Sequence, residues 1–231
     1  ELVNRINQKL DTSVKLDLND THAVLIVPSG DMHNVLILLK TIAPSFSIMS
    51  LGNSIENYKE TGLPAEVANR FSLRTKEGTH GIGHTRMATE SDVNTMGAHP
   101  YSTGLDQCLV HNGSLSNHNN LRRELTRNGI SLNTDNDSEV AAAYLTHQMK
   151  LGASLESALN NALKDLDGFY TFVVGTRDGF AVLRDPIACK PAVMAETEHF
   201  VAFGSEYRAL VNLPGIDNAR VWEPEPATVY F

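Results

Sequence analysis

At 231 residues the chain has room for one large domain or two small ones. Its 42% hydrophobic residues can bury a sizeable core, and 20% charged residues is ordinary for a soluble protein. A net charge of -8 with no basic run excludes a nucleic-acid footprint, and no apolar run approaches a membrane span, the longest being Ala23 to Pro28 and Val35 to Leu39. Two cysteines, Cys108 and Cys189, have no CxxC spacing and fit a reducing, cytoplasmic setting rather than a disulfide scaffold. The N-terminus, Glu1-Leu2-Val3-Asn4-Arg5, has no signal-peptide pattern and no initiator methionine, so the sequence reads as starting part-way through a longer product.

Leu2, Val3, Ile6 and Leu10 recur at helical spacing and predict a short helix over 1–10. Val14 to Leu18 alternates like a half-buried strand, and Ala23 to Val27 reads as a buried one. Asp31 is placed to cap a helix carrying Val35, Leu36, Leu38 and Leu39, which Pro44 ends. Phe46 to Leu51 alternates as a further strand, completing a small αββαβ unit. Pro64 takes the favoured first position of a helix running through Val67 and Arg70.

From residue 79 the strands are short and the turns polar. Gly81-Ile82-Gly83-His84-Thr85-Arg86 reads as a short strand ending in a fixed cation, and Gln107 to Val110 as a strand running into an Asn112-Gly113 turn. Three capped helices follow: one from Leu121 closed by Gly129, one from Val140 to Met149 with Asp137 or Ser138 as its cap, and one from Leu155 to Leu163 behind Ser154. Strands then return at Phe169–Val174, Phe180–Leu183, Ala192–Ala195 and Phe200–Phe203, with Arg177-Asp178-Gly179 as a hairpin turn. Ser205 caps a short helix through Leu210, and a last strand pair lies around Arg220–Glu223 and Ala227–Phe231. Strands, a block of helices, then strands again predict an α+β layered sandwich, not a doubly wound parallel sheet.

Taken singly, the polar residues at the element ends have plain structural readings. Arg86 makes a surface salt bridge, Asp137 a helix cap, Asn112-Gly113 a turn. Together they supply a guanidinium for a carboxylate, a carboxylate for an ammonium, and an amide beside a glycine N–H for an oxyanion. That set suits a zwitterionic amino acid. His84, His99 and His111 lack the i, i+4 spacing of a zinc site, so no metal is expected and they read as structural histidines. Cys108 reads as an inert core thiol.

In this order and at these intervals, GIGHTRMAT (81–89), AHPY (98–101), CLVHNGSLSN (108–117), NDSEV (136–140), GFYTFVVGTRDGFAVLRDP (168–186) and FVAFGSE (200–206) resemble the glutaminase domain of class II glutamine amidotransferases. These are N-terminal-nucleophile hydrolases. The likeness spans about residues 56–231 and leaves 1–55 as a subfamily insertion, a small α/β unit packed on the main domain. GIGHTRMATES, DPIACKPAVMAE and ARVWEPEPATVYF most resemble the amidotransferase subunit of N-methylglutamate synthase and its glutamate-synthase-like relatives.

The resemblance implies a four-layer αββα sandwich with two antiparallel sheets. It also implies hydrolysis of the glutamine side-chain amide to glutamate and ammonia. It places Arg86 and Thr89 on the α-carboxylate, Asp137 on the α-ammonium, and Asn112 with Gly113 in the oxyanion hole. Glu90 stands where some relatives carry a histidine. It implies no cofactor in this chain, but FMN and iron–sulfur clusters in glutamate-synthase-like partner subunits of a hetero-oligomer. The family's nucleophile is an N-terminal cysteine, whereas residue 1 here is Glu1. Retention of the binding set favours a segment preceding residue 1 in the intact protein, so residues 1–231 alone are expected to be inactive. The rival is a non-catalytic scaffold or amino-acid-binding subunit.

Overall fold

The structure, a computed structural model, describes residues 1–86 and 92–231. It divides into two compact units, 1–49 with 56–77, and 50–55 with 78–231. The family likeness draws a boundary at residue 55. Compactness instead assigns 56–77 to the smaller unit and 50–55 to the larger.

The smaller unit contains α1 (Leu2–Leu10), a hairpin of β1 (Lys15–Asn19) and β2 (His22–Ile26), α2 (Met32–Ile42) and α3 (Pro64–Arg70). Leu2, Ile6 and Leu10 form one face of α1 and pack with Val14, Leu25, Val35 and Leu39. Asp31 holds the N-cap position of α2, but its carboxylate accepts from the Thr12 hydroxyl instead of capping. The strand predicted over 46–51 is absent: Phe46 and Ile48 are exposed, and only Leu51 makes a β-bridge, parallel to Leu105. Alternation alone does not make a strand when no neighbour offers its backbone.

The larger unit is the expected α+β sandwich. Its first sheet comprises β3 (Tyr101–Gly104), β4 (Gln107–Leu115), β5 (Gly168–Thr176), β6 (Phe180–Arg184) and β10 (Thr228–Tyr230), in the order β10-β6-β5-β4-β3. A second sheet has the order β8-β7-β9, from β7 (Val193–Glu196), β8 (Val201–Gly204) and β9 (Arg220–Trp222). All the pairings between these strands are antiparallel. The period-2 alternation of β5 sends Tyr170, Phe172 and Val174 to one face and Val173 to the other. The first face meets α4 (His118–Arg127), α5 (Asp137–Lys150) and α6 (Leu155–Asp165). The second meets Met194, Phe203 and Trp222 of the other sheet. On that sheet's far side, Ala195 packs with Leu210 and Ile216 from short 3₁₀ segments. Helices, sheet, sheet and short helical turns give four layers.

Helix α5 is buried from Ser138 through Thr146. It touches α4 and α6 as well as β3 and β4, which explains the small Ala141-Ala142-Ala143 run at its centre. Two local expectations change. Residues 81–86 have no strand pairing. Asn112-Gly113 is not a turn, because β4 runs on to Leu115 in unbroken register with β5. Gly113 sits opposite Tyr170 at φ +147, and a Cβ there would lie 2.0 Å from the Phe169 carbonyl oxygen. The glycine lets two central strands approach.

Candidate functional site

β4 organises the site by sending successive groups in different directions. Val110 faces the second sheet, so by alternation the Asn112 side chain is on that face too, while His111 turns toward the helices and packs edge-on against Phe172. The backbone alternates as well. The Tyr170 carbonyl accepts from Asp185 N on the β6 side. Gly113, paired opposite Tyr170, therefore points its N–H away from β5, in the same direction as the Leu115 N–H. Along this outer edge of β4, Leu109 pairs with Tyr101, His84 hydrogen-bonds the backbone of His111, and Leu115 N donates to Asp137 Oδ2 at 2.9 Å. Gly113 lies between the last two.

Asp137 enters at the first turn of α5. It is not the cap. Asn136 is, its side chain accepting from Ser138 N at 2.8 Å. Freed from capping, the Asp137 carboxylate reaches across to β4. The loop before it is clamped twice. Glu139 accepts from Asn133 N, Thr134 N and Thr134 Oγ1 at 2.7–2.8 Å, while Arg122 donates to the carbonyls of Thr134 and Asn136. Buried carboxylates persist only with such full complements of donors.

Behind the carboxylate lies a histidine cluster that sequence reasoning treated as three separate structural residues. His84 stacks on His99 with ring centroids 4.1 Å apart. Ser138 Oγ lies 2.9 Å from both His99 Nε2 and His111 Nδ1. Burial pushes the His111 ring below its ordinary range, with the Asp137 charge opposing, and burial lowers His84 too. The 3.7 Å approach of His111 Nδ1 to Asp137 Oδ1 is therefore a neutral imidazole beside a carboxylate, not an ion pair. The available signal was positional: each histidine sits inside a motif, in GIGHTR, AHPY and VHNG.

These elements border one cavity of about 1120 Å³ between the two sheets. Arg86, Asn112, Gly113 and Asp137 all line it, so the structure brings together four of the five predicted residues. Thr89 lies outside the described residues, as does Glu90. The lining thus includes a cation, Arg86, and an anion, Asp137, with an amide and a backbone N–H between them in sequence. Burial raises the Cys108 thiol to about 11, and Cys189 is exposed and does not line the cavity. Among the described residues no group of three or more His, Cys, Asp or Glu is arranged to hold a metal ion, and no helix is long and apolar enough to cross a membrane.

Comparison with known proteins identifies the family. The glutamine amidotransferase domain model matches residues 84–212. The chain is 65% identical over 217 residues to the glutamine amidotransferase-like protein GlxB of Rhizobium meliloti (strain 1021), covering 94% of this chain and 72% of that protein. It is 32% identical over 165 residues to the amidophosphoribosyltransferase of Methanocaldococcus jannaschii, covering 70% of this chain but only 35% of that enzyme. Among solved structures, the B. subtilis glutamine phosphoribosylpyrophosphate amidotransferase complexed with ADP and GMP superposes with a TM-score of 0.65 at 26% identity, over 78% of this chain and 38% of that one. The matched segment begins at His84 and contains the whole of β4 and of α5. The chain belongs to the glutamine amidotransferase domain family, in its class II, N-terminal-nucleophile-hydrolase form.

Proposed function

We propose that the intact protein hydrolyses the side-chain amide of glutamine to glutamate and ammonia. The observation that carries this reading is the convergence of Arg86, Asn112, Gly113 and Asp137 on one cavity. Arg86 takes the α-carboxylate, with Thr89 assigned to the same end, and Asp137 takes the α-ammonium. The amide carbon then lies at the outer edge of β4. A thiolate adds to that carbon, and the Asn112 amide and Gly113 N–H receive the oxyanion. Collapse expels ammonia, which takes its proton from the general base, and leaves a thioester. Water hydrolyses the thioester to glutamate and restores the thiol.

Neither internal cysteine suits this role. Cys108 is a buried thiol with a raised pKa, and Cys189 lies off the cavity. The proposal assigns the thiolate to an N-terminal cysteine of the intact protein outside residues 1–231, its α-amino group acting as base. On this reading residues 1–231 alone are inactive.

The likeness of GIGHTRMATES and DPIACKPAVMAE to N-methylglutamate synthase and glutamate-synthase-like systems supports a finer assignment. The ammonia passes to partner subunits of that kind, which carry FMN and iron–sulfur clusters, within a cytoplasmic hetero-oligomer. The test is glutamate release from glutamine by the full-length protein, with and without such partner subunits. Release stimulated by the partners is expected. No release in either state, from protein whose N-terminal cysteine is verified by mass spectrometry, sinks the enzyme reading in favour of a non-catalytic scaffold.

A further inference from the structure

The buried Ser138–histidine cluster has no task in the reaction as written. Ser138, His99 and His111 are all buried, and all three border the cavity. A serine hydroxyl has one proton and two lone pairs, so the tautomers of the two rings it bridges are linked. Two observations select between them. Asp137 Oδ1, 3.7 Å from His111 Nδ1, favours a proton on that nitrogen. His111 Nε2 is buried with no hydrogen-bond partner among the described residues. A buried N–H left unpaired is rarer and costlier than an unpaired acceptor, so Nε2 is the bare nitrogen.

With the proton on Nδ1, Ser138 Oγ accepts from His111 and donates its own proton to Asp137 Oδ1, 3.4 Å away. The Asp137 carboxylate is then gripped from two sides. Leu115 N–H holds Oδ2, while the dipoles of His111 Nδ1–H and Ser138 face Oδ1. A carboxylate offers about four lone-pair directions, so acceptor capacity remains for an ammonium from the cavity side.

We propose that His111, as a neutral Nδ1–H imidazole acting through Ser138, is a positioning residue that orients the Asp137 carboxylate for the α-ammonium of the substrate. It rests on the glutaminase reading of the cavity. One strand would thereby serve both ends of the substrate, Asn112 and Gly113 at the scissile amide and His111 indirectly at the ammonium. Its consequence is specific: loss of His111 weakens recognition of the α-amino group more than it weakens chemistry at the amide.

Two measurements on the full-length protein test this. The first is a two-bond ¹H–¹⁵N spectrum of histidine-labelled wild type at neutral pH, expected to show His111 with Nδ1 protonated and Nε2 bare. An Nε2–H tautomer or an imidazolium overturns the proposal. The second compares glutamine with glutaramate, which lacks the α-amino group, in wild type, His111→Ala and His111→Asn. In His111→Ala the preference for glutamine should fall on the order of tenfold, as loss of one charge-orienting hydrogen bond allows, mainly through KM. His111→Asn, whose amide N–H mimics Nδ1–H, should restore most of it. An unchanged preference in His111→Ala overturns the proposal even if overall rate falls. Absence of glutamate release from intact wild type refutes the glutaminase reading, and this one with it, and is distinguishable from both other results.

Discussion

The close approach of β4 to β5 at Gly113 can be measured with three alanine substitutions. At Gly113 the new Cβ would lie 2.0 Å from the Phe169 oxygen, 2.7 Å from Tyr170 Cα and 2.9 Å from the Phe169 carbonyl carbon. All three are backbone atoms of the adjoining strand, so no side chain can rotate away. Relief requires prising β4 from β5 in the middle of a five-stranded sheet. Overpacking costs about 1–3 kcal/mol and a backbone conformation unsuited to L side chains about 1–3 more, so Gly113→Ala should cost roughly 2–6 kcal/mol. Gly129 isolates the second contribution: its φ is +79 but nothing lies within 4 Å, and Gly129→Ala should cost about 1–2 kcal/mol. Gly81 has neither feature, and Gly81→Ala should change stability by less than about 0.5 kcal/mol. Urea unfolding followed by circular dichroism, read at constant m-value, gives the three differences. If Gly113→Ala unfolds at the same urea concentration as Gly81→Ala, the strands do not approach as described and the glycine has no packing reason.

Acidification below about pH 6.5 should weaken the fold through its buried histidines. His111 and His84 are held below their ordinary pKa by burial, whereas in the unfolded chain they take up protons near pH 6.5. Stability is therefore full above about pH 6.5 and falls as pH drops toward the folded values, by up to about 1.4 kcal/mol per unit for each proton. Urea unfolding at pH 7, 6 and 5 should show the slope, and His111→Gln should flatten it; equal stability at pH 7 and 5 contradicts the neutral cluster. In the full-length enzyme Asn112→Ala should lower glutamine turnover on the order of 100-fold, the usual loss for one oxyanion donor, and unchanged turnover removes Asn112 from that role. A thiol reagent should label one cysteine of folded residues 1–231 rapidly, the exposed Cys189. Fast labelling of Cys108 would show that its strand opens readily.

The helices were legible because their signals are local. The 3.6-residue spacing of Leu2, Ile6 and Leu10, Pro64 at a first position, and Ser154, which accepts from Ser157 N, need no knowledge of the rest of the chain. The misreadings all depend on distant partners. Asn112-Gly113 is a strong turn pair until β5 arrives, fifty-odd residues later, to hold it extended. Phe46 to Leu51 alternates like a strand, but among the described residues only Leu51 finds a partner, Leu105. Asp137 resembles a cap, but the Leu115 N–H, distant in sequence, engages its carboxylate, and the neighbouring Asn136 caps. The proposed binding set was recognisable because its members lie in distinctive motifs. The Ser138 bridge was not, since a serine between two histidines distant in sequence leaves no periodic trace.

Asp106 gives the chain an unusual connectivity. Its carboxylate accepts from the backbone N–H groups of Asn53, Ser54 and Ile55, fastening 50–55 beside the β3–β4 turn within the larger unit. The polypeptide therefore changes unit three times, at 49/50, 55/56 and 77/78. The smaller unit is built from two stretches of chain, with 50–55 between them in sequence. A truncation starting at residue 56 would retain Tyr58, α3 and Phe71 while discarding the hairpin whose His22 packs against both aromatic rings. A transplant or deletion that respects the fold must remove 1–49 and 56–77 together and leave the Asp106 contacts in place.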